Sequence, residues 1–187
     1  MTVIDAFTVP IFTYNNVEVI KNLDLKKYNH QQTFDLHQDK NFTELVNFKK
    51  ESAKDCLSEM GYSTDYEIDI TTMWINIMKP HSHTNEMIPH SHDNQFLSCV
   101  FYTEKINSPI VFQRPWITQF SPTKIDNTGY NANSYFIQPE EGDLIIFPSY
   151  LLHQALINVH MYDRISIASN VVLRGNYGNH EGTRVKL

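Results

Sequence analysis

After Gly61 the chain becomes a succession of short β-forming segments, and this restricts the possible folds more than any other feature. They cover residues 66–78 (YEIDITTMWINIM), 96–103, 109–113, 134–138, 143–148, 151–158 and 164–173. β-Branched and aromatic side chains dominate them, and Pro, Gly, Asn and Asp punctuate the gaps. No helical pattern alternates with these segments, which argues against a parallel doubly wound sheet. The expected class is mainly β, a sandwich or barrel of the jelly-roll kind.

One helix is expected upstream. In residues 42–60 (FTELVNFKKESAKDCLSEM), Phe42, Leu45, Val46, Cys56, Leu57 and Met60 recur near helical spacing with charges between them. Asn41 can cap its start, with Glu44 three residues on, and Gly61 can end it. Such an N-terminal helix would buttress the sheet. Residues 1–35 read as an extended or irregular lead-in, with a short strand over 9–14 if Pro10 sits at an edge.

At 187 residues the chain suits one core, so a single domain over 1–187 is expected. Hydrophobic residues make up 41% and aromatics 12%, a globular profile rather than a disordered one. No run of 18 apolar residues suggests a membrane span. MTVIDAFTVPIF lacks the basic-then-apolar order of a signal peptide. Cys56 and Cys99, with no CxxC spacing, read as buried free thiols in a reducing, cytoplasmic setting. The net charge of −6 is spread over interspersed acids and bases, with no basic stripe for tight duplex binding. Substrate and oligomeric state are not legible.

Five of the nine histidines fall between 81 and 153: His81, His83, His90, His92 and His153. His30, His37, His160 and His180 suggest no role, and His81 and His83 look like loop residues. His90-Ser91-His92-Asp93 is different. Residues i and i+2 of an extended segment point the same way, so His90 and His92 can aim together into a barrel. His153, on a distant apolar segment, can close a facial set. Imidazole suits iron, zinc, copper and nickel, and a facial triad of two His and one carboxylate with open positions suits non-haem Fe(II) and O₂ chemistry. Asp93 would point outward unless the segment is bulged. Either three His form the set or Asp93 supplies a carboxylate; the three-His set is favoured, with one less negative charge to hold a divalent ion.

Four segments carry a resemblance to the 2-oxoglutarate and Fe(II)-dependent dioxygenases, within them a group of small, mostly uncharacterised bacterial and phage proteins. They are Met73-Trp74-Ile75-Asn76; Pro89-His90-Ser91-His92 with Leu97-Ser98-Cys99-Val100-Phe101-Tyr102; Gly142-Asp143-Leu144-Ile145-Ile146-Phe147-Pro148 running on to His153; and Arg164-Ile165-Ser166 with Ile167-Ala168-Ser169-Asn170. Together they span roughly 66–173. The resemblance implies a double-stranded β-helix with Fe(II) on His90, His92 and His153. It implies Arg164, eleven residues after His153, binding the far carboxylate of 2-oxoglutarate, as a planar guanidinium suits. Ser166 and Tyr102 would add hydrogen bonds to that carboxylate, and Asn76 would approach the cofactor from its strand. The implied reaction uses O₂, releases succinate and CO₂, and hydroxylates an unidentified substrate. Cys99 departs from the Gly usual in that group, and His92 from the carboxylate usual in the wider superfamily. Residues 114–133 are a candidate lid or substrate loop.

Two alternatives compete. A cupin-like metal protein shares the HxH and the Gly142, Pro148, His153 spacing. It lacks the expected Glu after His92, and has Tyr150 for a Gly, a late Asn158 and no use for Arg164. A non-enzymatic jelly-roll binding component is the other, since fold does not fix function.

Overall fold

A computed structural model describes residues 2, 7–25, 28, 34–105, 108–116, 120, 122–178, 182 and 184–187. His30, His180, parts of the lead-in, and positions 117–119 and 121 of the candidate lid lie outside the described residues. In chain order the elements are β1 (Phe12–Asn15), a one-turn α1 (Glu18–Lys21), α2 (Thr43–Glu59), β2 (Glu67–Met78), β3 (Leu97–Tyr102), β4 (Ile110–Gln113), β5 (Ser134–Ile137), β6 (Asp143–Pro148), β7 (His153–Ala155), β8 (Arg164–Arg174), β9 (Asn176–Tyr177) and β10 (Val185–Lys186). All pairings between these strands are antiparallel. One sheet has the order β1-β6-β3-β8-β2, a second β5-β4-β7, and β9 and β10 pair alone. This is the expected mainly β, double-stranded β-helix, with α2 packed on the five-stranded sheet.

Period-two side-chain alternation divides the large sheet between two tasks. Leu97, Cys99 and Phe101 of β3, Leu144 and Ile146 of β6, and Ile167, Val171 and Leu173 of β8 pack with Leu45, Ala53, Cys56 and Leu57 of α2. The intervening Tyr102, Ile145 and Phe147 face the second sheet, where they meet Ile110, Phe112 and Leu151. On β8, Arg164, Ser166, Ala168 and Asn170 alternate with the helix-facing residues and border an internal cavity. Cys56 and Cys99 are buried free thiols.

A buried amine pins α2 to β8. Lys49 is wholly buried, and its Nζ donates to Ile167 O at 2.9 Å and to Ser169 Oγ at 3.0 Å. Burial pulls its pKa down from 10.5 to about 7, against a smaller opposing effect of Cys99.

The helix ends where Gly61 predicts. Gly61 adopts φ 76°, its N–H donates to Ser58 O, and Tyr62 N–H donates to Leu57 O. The start differs from expectation. Asn41 does not cap it; a 3₁₀ turn, Lys40–Phe42, intervenes, and the Asp39 carboxylate accepts from Asn41 N–H at 2.9 Å. The first strand lies later than 9–14, beyond Pro10, which has no N–H to give a ladder. The 151–158 segment shortens to three residues, because Leu151 N–H closes a turn onto Pro148 O and the buried Asn158 side chain binds Met78 O and Tyr162 O.

Candidate metal centre

His90 and His153 meet as an isolated antiparallel bridge, each N–H donating to the other's carbonyl at 3.0 and 2.9 Å. His92 is not in a strand. It lies in the bend leading to β3, tied by its N–H to Ser149 O at 2.9 Å. Only the short bridge at His90 is therefore extended pairing, yet both imidazoles reach the same point. The three ring centroids stand 4.5 Å (His90–His153), 5.2 Å (His90–His92) and 5.2 Å (His92–His153) apart. One ring nitrogen from each lies within 4.8 Å of the other two. Asp93 is exposed and outside this group, as are His81 and His83.

Local hydrogen bonds ready these rings for a metal. His90 Nδ1 donates to Ile88 O at 2.7 Å and His153 Nδ1 to Leu151 O at 2.9 Å. A carbonyl can only accept, so Nδ1 carries the proton and Nε2 keeps the lone pair. Burial, reinforced by the neighbouring imidazoles, drives the His153 pKa down to about 4 and also lowers that of His92. Neutral imidazole is the ligating form, so the donor set fits a borderline divalent ion such as Fe(II). The His92 ring also packs against Trp74, with centroids 5.8 Å apart.

These imidazoles share a cavity of about 330 Å³ with the side chains expected to hold the keto acid. Arg164, Ser166 and Tyr102 are each about 5% exposed or less and line it. Arg164 Nη1 donates to Ser108 Oγ at 2.9 Å and Leu156 O at 3.1 Å, whereas its Nε is buried without a partner. Among the described residues it forms no ion pair. Burial disfavours its charge, while Tyr102 and Glu86 favour it. A buried guanidinium with an unsatisfied donor fits a carboxylate ligand. Burial also raises the Tyr102 phenol well above the usual tyrosine range, which keeps it a donor. Asn76 borders the cavity too, but its Oδ1 already accepts from Trp74 Nε1 at 2.9 Å.

Some surroundings were not anticipated. Ser98 Oγ pairs with Ser149 Oγ at 2.9 Å and donates to Asn170 Oδ1 at 3.1 Å, and Asn170 Nδ2 reaches Thr72 Oγ1 at 3.2 Å. This buried chain underlies the Ser149 carbonyl that holds His92. No local sequence pattern marks it, because its members come from four separate segments. None of the described residues of 114–133 lines the cavity; Asn85, Glu86 and Ile88 border it instead.

A family profile described as "Putative 2OG-Fe(II) oxygenase" matches residues 72–170. The chain belongs to this 2OG-Fe(II) oxygenase family. The oxygenase is therefore an oxidoreductase, of a family that uses Fe(II), 2-oxoglutarate and O₂. No curated protein matches the oxygenase in sequence. Solved structures with TM-scores above 0.5 share its fold. The epimerase SnoN, described as non-heme and alpha ketoglutarate dependent, from nogalamycin biosynthesis, has a TM-score of 0.61 at 8% identity, over 88% of this chain and 76% of that one. HygX from Streptomyces hygroscopicus, with nickel and 2-oxoglutarate bound, has a TM-score of 0.55 at 10% identity, over 88% of this chain and 82% of HygX. A 2OG-Fe(II) oxygenase family oxidoreductase from Burkholderia pseudomallei is 14% identical over 73% of this chain, with a TM-score of 0.48; the oxygenase spans about half of it, 54%. The match also sets aside the cupin-like and non-enzymatic alternatives. No helix among the described residues is long and apolar enough to cross a membrane.

Proposed function

We propose that this oxygenase holds Fe(II) on His90, His92 and His153, binds 2-oxoglutarate through Arg164, and hydroxylates an unidentified substrate. In that reaction one O₂, 2-oxoglutarate and substrate C–H give succinate, CO₂ and substrate C–OH. The observation that carries the reading is the meeting, in one cavity, of three imidazoles with a buried guanidinium whose Nε has no partner. The iron would supply O₂ activation coupled to oxidative decarboxylation of the keto acid.

The chain's own residues supply position and electrostatics. His90 and His153 present Nε2 because Ile88 O and Leu151 O fix their tautomers. Arg164 offers its free edge to the far carboxylate of the keto acid, with the Ser166 and Tyr102 hydroxyls as further donors. Asn76, with its carbonyl engaged by Trp74, has its amide N–H₂ for the cofactor. Trp74, Phe147 and Ala155 give the same space apolar walls. The same proposal treats residues 1–187 as a single oxygenase domain in a cytoplasmic setting, in keeping with the two buried thiols.

The test is thermal stabilisation by Fe(II) plus N-oxalylglycine, paired with succinate release from 2-oxoglutarate. Stabilisation that requires both additives and is lost in Arg164→Ala supports the reading. Equal stabilisation of wild type and Arg164→Ala, or none in either, overturns it.

A further inference from the structure

Ser108 sits in the turn before β4, is 3% exposed, does not itself line the cavity, and bonds to the cavity-lining Arg164. Its Oγ accepts from Arg164 Nη1 at 2.9 Å, and its O–H points to Leu156 O and Ile157 O, each at 3.2 Å. Leu156 O also accepts from Nη1 at 3.1 Å. Both Nη1 hydrogens are thus consumed on one side of the guanidinium. The opposite edge, Nε with Nη2, is a pair of parallel N–H groups of the kind that grips a carboxylate with two bonds. Nε is buried and lacks a partner.

We propose that Ser108 is a positioning residue, fixing which edge of the Arg164 guanidinium faces the keto acid. The inference rests on the assignment of Arg164 to the far carboxylate. Ser108 orients its lone pair because its own proton is held by the Leu156–Ile157 carbonyls. Without that acceptor the guanidinium keeps only Leu156 O and can turn its fork away from the productive direction. An effect of this kind is confined to ligands that own a far carboxylate.

Two chelators separate this role from a merely structural one: N-oxalylglycine carries the distal carboxylate, and oxalate does not. Their dissociation constants are read by calorimetry on the Zn(II)-loaded protein, which does not turn over. In Ser108→Ala, N-oxalylglycine binding weakens about tenfold, the worth of one hydrogen bond to a charged group. Oxalate binding stays within about twofold of wild type, and Ser108→Thr restores N-oxalylglycine. Ser108→Cys, near-isosteric and a weak acceptor, serves the same purpose should the alanine variant not fold. Equal weakening of both chelators overturns the proposal, as does unchanged N-oxalylglycine binding when Arg164→Met abolishes it. If Arg164→Met itself leaves N-oxalylglycine unaffected, the assignment of Arg164 falls, and this inference with it.

Discussion

His90 and His153, 63 positions apart in the chain, exchange reciprocal backbone hydrogen bonds at 3.0 and 2.9 Å, so two of the three imidazoles are placed by main chain alone. Their side chains can be removed without disturbing that bridge. His90→Ala and His153→Ala are each expected to lower divalent-metal affinity at least about 100-fold while leaving the metal-free melting temperature near wild type. Zn(II) titration followed by calorimetry, beside thermal melts with and without metal, checks this. A metal-free protein that unfolds would assign these residues to the fold rather than to a metal.

Arg164→Lys keeps a positive charge but loses the planar fork. An ammonium cannot serve Ser108, Leu156 O and a carboxylate in the same geometry. Half-saturation for 2-oxoglutarate is expected to rise by about 10- to 100-fold, with Zn(II) affinity unchanged. Retention of wild-type half-saturation would show that charge alone is sufficient.

Lys49 predicts a pH dependence of stability. Its pKa is about 7 in the fold and near 10.5 in the unfolded chain, so between those values the unfolded state binds more protons. Stability contributed by this group therefore rises from pH 7 to 10.5, is fully present above 10.5, and is lost as pH falls toward 7. Lys49→Met removes the dependence. Denaturant unfolding at pH 7 and pH 10 should show the methionine variant gaining on wild type by up to a few kcal/mol at the lower pH. A constant difference across that range would mean that Lys49 stays charged in the fold.

Asn158 is wholly buried and serves four backbone groups. Nδ2 donates to Met78 O and Tyr162 O, Oδ1 accepts from His160 N–H, and its main-chain O accepts from His81 N–H. Asn158→Ala leaves two of these carbonyls and one N–H without the side-chain partner, at a cost of about 2–4 kcal/mol in denaturant unfolding. Because the 158–162 loop leads into Arg164, weaker N-oxalylglycine binding should accompany the loss.

Much of this was legible in the chain for a physical reason. Strand segments announce themselves by β-branched and aromatic runs between turn residues, and β6 begins and ends where the reading put it. Gly61 was legible because only the left-handed region closes that helix. His90 and His92 were legible through their i, i+2 spacing, even though only His90 proves extended. What escaped was nonlocal. Ser108 acquires its importance from Arg164, 56 positions away, and Lys49 from a strand 120 positions away. The Asn41 cap failed because its side chain is turned to Asp24, whose N–H donates to Asn41 Oδ1 at 3.1 Å.

β8 is a shared wall. Its odd-numbered residues 167 and 169 anchor Lys49 of α2, and its even-numbered residues 164 and 166 line the cavity that holds the three histidines. Trimming the protein to the 72–170 portion would strip the helix from the outer side of that wall, baring Ile167 to water. The pocket shared by the three histidines and Arg164 should then lose its shape together with its backing, so a minimal version of this oxygenase has to begin upstream of residue 43.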